Sequence, residues 1–240
     1  MLVIIPFYNE ENRISVREYK RLFSEYEKEE FLLVDDASTD NTLKLLHNFQ
    51  DNFPNISVFP LPKNVGKAEA IRSAFLHHKT QKKHIAYLDA DLATPFEELY
   101  KMKLFLNENP TYSFIMGSRI KRLGSSITRY VYRHYLGRIF ATIISGVILK
   151  TPVYDTQCGA KIIETKLAYD LFSTPFVSKW LFDVELLLRF KKNNPNFDRF
   201  IYEYPLSIWT EKGGSKIRFT DFIKLPYDLM KIHLRYVKKN

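Results

Sequence analysis

Short apolar runs alternate with amphipathic stretches along the first half of the chain. Five of these runs have the length and residue types of buried strands: LVIIP (2–6), FLLVDD (31–36), ISVFP (56–60), HIAYL (84–88) and YSFIMGS (112–118). Between them, apolar residues recur every three to four positions, which is the period of a helix that buries one face. Because the strands are apolar throughout, the alternation predicts an α/β fold with a mostly parallel central sheet and helices on both faces.

Local signals predict where some of these elements begin and end. Thr94 is expected to cap the fourth helix, with Pro95 at the first helical position and Glu97 closing a capping box. The pattern is weaker in the second half, where it predicts a helix over 127–149 and a strand over 199–209. No linker or repeat interrupts the chain, so we expect a single domain over residues 1–240.

Composition narrows the class of protein. The chain has 240 residues, of which 45% are hydrophobic and 26% charged, as in ordinary soluble domains. One cysteine, Cys158, excludes an internal disulfide and fits a reducing compartment. The chain has no apolar run of roughly 18 residues and no basic, signal-like start, so neither a transmembrane helix nor a signal peptide is expected.

Positive charge is concentrated in two segments. The net charge is +9, and no acidic residue occurs between Asn109 and Tyr154. That window also contains the apolar run 139–149, and a second basic and apolar stretch covers 217–240. This distribution indicates an anionic partner, either a polyanion or an anionic membrane surface. The window's basic residues are Arg119, Lys121, Arg122, Arg129, Arg133, Arg138 and Lys150.

Polar groups follow each of the five predicted strands. In open α/β sheets, ligands bind at the carboxyl ends of the strands, so these groups are expected to converge on one edge. In strand order they are Pro6, Tyr8, Asn9 and Glu10; Asp35 and Asp36; Asn64, Gly66 and Lys67; Asp89 and Asp91; and Gly117, Ser118 and Arg119.

Asp89 and Asp91 suggest a metal site at that edge. In an extended segment the two side chains would point to the same side, about 7 Å apart. Two carboxylates so close are costly unless a cation shares them, and hard oxygen ligands suit Mg²⁺ or Mn²⁺ bound to a nucleotide diphosphate. The alternative is that both aspartates cap an ordinary turn. Neither a G-x-G-x-x-G loop nor a G-x-x-x-x-G-K-[ST] loop is present.

A family resemblance enters through eight segments that occur in order. The chain resembles family 2 glycosyltransferases of the GT-A fold, in the branch of dolichyl-phosphate glucosyltransferases and dolichyl-phosphate mannose synthases. The resemblance extends from residue 3 to about residue 217. The segments are VIIPFYNEENRI, LLVDDASTDNT, NVGKAEAIRSAF, YLDADLATP, MGSR, DTQCGAKI, FDVELL and WTEKGGSKI.

The resemblance implies a donor site in residues 1–117 for a nucleotide sugar. Asp91 would be the direct ligand of Mg²⁺ or Mn²⁺, with Asp89 as the other member of the pair. Asp35 would support the neighbouring loop. The remaining implied donor-site residues are Pro6, Tyr8, Glu10 and Asp36 around the base and ribose, Lys67 near the nucleotide, and Lys216 near the diphosphate.

The resemblance also implies an acceptor-binding half over residues 118–240. Arg119, with Arg129 or Arg133, would bind the phosphate of the acceptor. Asp155 and Gln157 would lie beside the sugar or the acceptor, and Asp155 is counted with Asp89, Asp91 and Arg119 as catalytic.

The implied reaction is transfer of a hexose from UDP-glucose or GDP-mannose to a polyprenyl phosphate, with inversion at the anomeric carbon. The phosphate oxygen of such an acceptor is already anionic, so positioning replaces general-base catalysis. We expect peripheral association with the cytoplasmic face of a membrane, through 139–149 or through a C-terminal amphipathic helix that could instead pack on the domain or on a second subunit. The apolar face of that helix contains Phe222, Leu225, Leu229, Ile232 and Tyr236.

Two other functions compete with this interpretation. Transfer to a sugar hydroxyl in polysaccharide assembly needs a general base, for which Asp183 or Glu185 could serve. Nucleic-acid binding is suggested by the basic segments, but the carboxylates at the predicted site would repel phosphates in the absence of a metal, so no nucleic-acid partner is expected.

Overall fold

The computed structural model describes residues 1–128, 141–213 and 219–236, and the side chains of the last range from residue 224 onward. A seven-stranded sheet forms its centre. Its strands are β1 (Leu2–Phe7), β2 (Glu30–Asp35), β3 (Ile56–Pro60), β4 (His84–Tyr87), β5 (Phe114–Ser118), β7 (Lys161–Glu164) and β8 (Ile201–Pro205). They lie in the order β3-β2-β1-β4-β7-β5-β8, and all neighbouring strands are parallel except β7, which runs antiparallel to both β4 and β5.

Helices cover both faces of the sheet, as the alternating sequence pattern predicts. The described helices are α1 (Val16–Glu25), α2 (Thr42–Asn52), α3 (Lys67–His78), α4 (Phe96–Glu108), α5 (Thr165–Leu171), α6 (Phe182–Asn193) and α7 (Phe219–Tyr236), with a π-helical segment over Ile144–Leu149 and a 3-10 turn over Phe197–Phe200. Leu2 and Ile4 of β1 join the core under α3, α5, α6 and α7, whereas Val3 and Ile5 join the core under α1, α2 and α4.

The predicted start of the fourth helix is wrong. Pro95 is extended, with ψ of 148°, so α4 begins one residue later, and no side chain caps it. Thr94 is buried instead of serving as the cap. The side chain of Glu98 accepts hydrogen bonds from the backbone of Ser207 (2.6 Å) and from Lys101 (2.6 Å). The first turn of α4 is therefore held in part by a tertiary contact, from Ser207 to Glu98, that a local capping rule does not include.

Two predictions in the second half are only partly right. Where a helix over 127–149 is predicted, Ser126–Thr128 forms strand β6, and helix is present from residue 141 within the described part of that range. The strand predicted over 199–209 is split into β8 and β9 (Ile208–Thr210). The chain leaves the main sheet after β8 because β9 pairs with β6 in a separate two-stranded sheet.

The C-terminal helix α7 packs on the domain. Ile232 is fully buried, and Leu225, Leu229 and Tyr236 pack against the same core. Ser178 donates a hydrogen bond to Asp228 at 2.6 Å, which fixes the helix against the start of α6. Among the described residues, no helix combines the length and the apolar character needed to cross a bilayer.

The packing of α7 predicts that Ile232→Ala destabilises the fold by about 3 kcal/mol, because the truncation leaves a cavity beneath the helix. Met230→Ala is the matched control, since Met230 is 52% exposed on the opposite side and its truncation should cost less than about 0.5 kcal/mol. Urea unfolding of both variants measures the difference. Equal effects would show that α7 does not dock through Ile232.

Candidate active site

The two central aspartates lie in a turn, and not in an extended segment as predicted. Strand β4 ends at Tyr87, and the backbone amide of Leu92 donates to the carbonyl of Asp89 at 3.1 Å. Leu92 has φ of 51°, so the chain reverses immediately after Asp91. The hydroxyl of Tyr19 in α1 donates to the carbonyl of Ala90 at 2.7 Å and anchors the turn.

Asp89 is matched to a lysine. Its Oδ1 lies 2.5 Å from Nζ of Lys67, the first residue of α3. Burial alone would raise the pKa of Asp89, but the ammonium group outweighs this effect and the net pKa is lowered. On its other side, Oδ2 lies so close to Gly159 that a Cβ there would approach it to 1.8 Å. Asp89 is therefore ionised and confined from two directions.

Asp91 has a different environment. Its Oδ1 accepts a hydrogen bond from the amide of Ala93 at 2.9 Å, and its Oδ2 has a long contact of 3.4 Å with Nη2 of Arg13. Burial, followed by repulsion from Asp89, raises the pKa of Asp91. The same Arg13 donates to Glu10 at 3.1 Å and to the carbonyl of Gly213 at 3.2 Å.

The two carboxylates fit a metal ion that a substrate helps to hold. Among the described residues, no group of three or more His, Cys, Asp or Glu side chains is placed to bind an ion. Mg²⁺ is commonly bound by one or two carboxylates together with substrate phosphates. Asp89 is paired with Lys67 at 2.5 Å, whereas Asp91 has a longer contact of 3.4 Å with Arg13, so Asp91 has the weaker internal cation partner of the two.

The predicted base-binding residues lie at the ends of strands β1 and β2. Pro6 lies in β1 one residue before its end, and Tyr8 and Glu10 follow the strand, with Tyr8 36% exposed and Glu10 buried. Asp36 follows β2, and its two oxygens accept the amides of Val65 (2.7 Å) and Gly66 (2.8 Å).

Asp36 thereby fixes the approach of the chain to α3. Gly66 has φ of 87°, which favours glycine at this point. Burial raises the pKa of Asp36 despite the two amides. Asp35 supports the loop that follows β2 by accepting the amide of Ser38 at 3.1 Å.

Two of the predicted acceptor-side residues, Arg119 and Asp155, form a buried ion pair. Asp155 accepts two hydrogen bonds from the guanidinium of Arg119, at 2.6 and 2.8 Å, and a third from the Arg119 amide at 3.1 Å. Desolvation would lower the pKa of Arg119, but Asp155 outweighs it and the pKa is raised. The guanidinium also lies over the ring of Trp209, 5.2 Å from its centroid. Gln157 is adjacent, its amide donating to Asp155 at 3.1 Å.

Several residues of the site have no individual prediction from the sequence. Arg13 and Gly159 lie inside the quoted segments, but their contacts depend on the fold. Glu203 of β8 accepts the amides of Tyr154 (2.9 Å) and Asp155 (2.6 Å), and no sequence signal marks it. The predicted residues Arg129, Arg133 and Lys216 lie outside the described residues.

The two candidate bases are committed to internal partners. Asp183 contacts Nζ of Lys161 at 2.9 Å and accepts the hydroxyl hydrogen of Tyr87 at 2.6 Å. Glu185 is fully buried, accepts the amides of Val177 and Ser178 at 2.9 to 3.1 Å, and has a raised pKa caused first by burial. These contacts assign both carboxylates to the support of α6.

Solved structures share this fold. Glucosyl-3-phosphoglycerate synthase from Mycobacterium tuberculosis, in complex with UDP, superposes with a TM-score of 0.68 at 16% identity, covering 96% of this chain and 79% of that one. The same enzyme with Mn²⁺ and UDP-glucose gives a TM-score of 0.69 at 15% identity, covering 98% and 78%. At such identities the likeness concerns the fold alone.

Sequence comparisons give the family. The chain is 32% identical to the human dolichyl-phosphate beta-glucosyltransferase over 256 residues, covering 98% of this chain and 75% of the relative. It is 30% identical to the Saccharomyces cerevisiae dolichyl-phosphate beta-glucosyltransferase over 256 residues, covering 98% and 74%. The model of glycosyl transferase family 2 matches residues 2–172. With an Asp89–Asp91 turn at the carboxyl edge of a GT-A sheet, the chain belongs to glycosyl transferase family 2.

Proposed function

We propose that the protein transfers glucose from UDP-glucose to the phosphate of a polyprenyl phosphate, with inversion. The observation that carries the proposal is the Arg119–Asp155 pair beside the Asp89–Asp91 turn, where Arg119 is close enough to lower the pKa of Asp89. The names of the relatives support it, because a β-glucoside made from the α-linked sugar of UDP-glucose requires inversion.

On the donor side, the chain's residues hold the nucleotide and its counter-ion. Asp91, backed by Asp89, would hold Mg²⁺ or Mn²⁺, which supplies neutralisation of charge on the departing diphosphate. Lys67 keeps Asp89 ionised and in place. Tyr8 and Asp36 lie at the edge assigned to the base, and residues 1–117 form the donor half.

On the acceptor side, Arg119 would bind and orient the acceptor phosphate. Its guanidinium is pre-organised by two hydrogen bonds to Asp155, so little freedom is lost when an anion binds. The attacking oxygen is anionic and has no proton to remove. This chemistry agrees with Asp183 and Glu185 being engaged in internal contacts, whereas a sugar-hydroxyl acceptor would need a base.

A lipid acceptor requires access to a membrane surface, for which α7 offers a suitable outer face. Tyr227, Met230 and Leu234 recur at helical spacing and are 45–53% exposed. Lys224 and Lys231 on the same helix would meet anionic headgroups. We place the protein peripherally on the cytoplasmic face of a membrane.

An acceptor assay tests the function directly. Purified protein with UDP-glucose and Mn²⁺ should glucosylate a short polyprenyl phosphate, while the matched polyprenol, which lacks only the phosphate, should remain unmodified. GDP-mannose in place of UDP-glucose should give much slower transfer. Efficient transfer to polyprenol or to a sugar hydroxyl would contradict the proposal.

The metal role predicts the behaviour of Asp91→Asn. Loss of a direct ligand should lower kcat/KM by more than about 100-fold, since even partners behind a ligand are worth roughly 10- to 100-fold. The thermal stabilisation given by UDP with Mn²⁺ should disappear in the same variant. Asp198→Asn, at an exposed position of the 3-10 turn, is the matched control and should behave as wild type. Retained metal-dependent stabilisation in Asp91→Asn would argue against Asp91 as the ligand.

The contact between Gly159 and Asp89 predicts that Gly159→Ala inactivates the protein. The new Cβ must displace the carboxylate of Asp89, and a shift of about 1 Å at a reacting site can cost roughly 100-fold in rate. Gly146→Ala is the control, because a Cβ at Gly146 meets no atom of the described residues within 4 Å. Steady-state kinetics on both variants provide the test, and a fully active Gly159→Ala would show that the placement of Asp89 is unimportant.

A further inference from the structure

Lys161, the first residue of β7, is a fully buried cation below the site. Its ammonium group contacts three acceptors: the carbonyl of Thr156 (3.1 Å), the carbonyl of Cys158 (2.6 Å) and Oδ1 of Asp183 (2.9 Å). An ammonium has three N–H donors, so all of them are satisfied. The proposed reaction does not use this residue directly.

Two of these acceptors belong to the loop 155–159, which borders both halves of the site. At one end of the loop, Asp155 holds Arg119. At the other end, Gly159 lies against the carboxylate of Asp89. A displacement of the Thr156 and Cys158 carbonyls would therefore disturb the acceptor side and the donor side together.

The third acceptor, Asp183, lies between Lys161 and Lys67, the lysine of the sugar-donor site. Nζ of Lys67 lies 5.7 Å from the centroid of the Phe182 ring, and Asp183, the next residue of α6, contacts Lys161 at 2.9 Å. Acidic and basic groups alternate in the order Asp89, Lys67, Asp183 and Lys161. Tyr87 completes this cluster by donating its hydroxyl hydrogen to Asp183.

A buried ion pair contributes little net free energy to the stability of the fold. Desolvation of the two ions offsets most of their attraction, and apolar residues of similar volume are often as stable or more stable. Such a pair is better explained by the neighbouring groups that it holds in place. Here Lys161 holds the loop 155–159 through the carbonyls of Thr156 and Cys158.

We propose that Lys161 is a positioning residue. Its hydrogen bonds to Thr156 and Cys158 fix the loop 155–159, and this loop holds Arg119 and Asp89 in the relative positions that transfer requires. The inference rests on the proposed function for the identity of the substrates. Lys161 would act through the loop 155–159 and would contact neither the sugar donor nor the acceptor.

The test compares Lys161→Met with the double variant Lys161→Met/Asp183→Asn. The single variant leaves a buried carboxylate unpaired and is expected to be destabilised. The double variant removes both charges, keeps an acceptor for Tyr87, and should recover most of the lost melting temperature. Its kcat should nevertheless stay about 100-fold below wild type, with the KM for the donor changed less than about threefold.

Hydrogen exchange gives a readout that needs no substrate. Peptides covering 155–160 should exchange faster in the double variant, while those of β1 and β2 remain protected. Addition of Asp155→Asn to the double variant should cost little more than the larger single effect, because both changes release the same loop. Lys103→Met is the control: Lys103 pairs with Glu29 near the amino end of β2, so its loss should lower stability and leave kcat unchanged.

Each outcome decides the proposal. A folded double variant with wild-type exchange in 155–160 and kcat within about threefold of wild type would overturn it. Failure of both Lys161 variants to fold would overturn it too, by assigning Lys161 a general stabilising role. If the wild type glucosylates no polyprenyl phosphate, the proposed function fails, and the exchange result still reports on the loop.

Discussion

The ion pair between Lys67 and Asp89 is the interaction on which the site depends. Two carboxylates one residue apart would repel each other and share their protons if both had the same surroundings. Lys67 removes this symmetry, because it lowers the pKa of Asp89 while the pKa of Asp91 is raised. The two neighbouring aspartates therefore differ in charge environment, and we propose that Asp91 is the one that binds the divalent cation.

The topology of the sheet explains how distant segments reach this pair. Strand β7 runs antiparallel between β4 and β5, so its first residues lie at the edge where the parallel strands end. The loop 155–159 directly precedes β7 and therefore lies at that edge, next to the turn after β4. A parallel strand in the same place would put its leading loop at the opposite edge, away from Asp89 and Arg119.

The sequence predicts the parallel framework well because each of the five strands is mostly apolar and each is followed by polar residues. It also predicts that Asp89, Lys67 and Arg119 share one edge. The capping box at Thr94, the extended geometry of Asp89 and Asp91, and the helix beginning at 127 are wrong for a common reason. In each case a tertiary contact, such as Tyr19 on Ala90 or β6 on β9, overrides the local preference. Asp91 lies 78 residues from Arg13, and Tyr154 and Asp155 lie 49 and 48 residues from Glu203. Lys161 binds two backbone carbonyls and Asp183. No periodic pattern in the sequence marks these contacts.

We propose that Lys67 stays paired with Asp89 while Asp91 binds the divalent cation. A crystal structure of the protein with Mn²⁺ and UDP tests this division of roles. We expect an oxygen of Asp91 at about 2.1 Å from the ion, phosphate oxygens completing the coordination, and Lys67 still paired with Asp89. An ion bound by Asp89 alone, with Lys67 displaced and Asp91 turned away, would show that the roles are reversed.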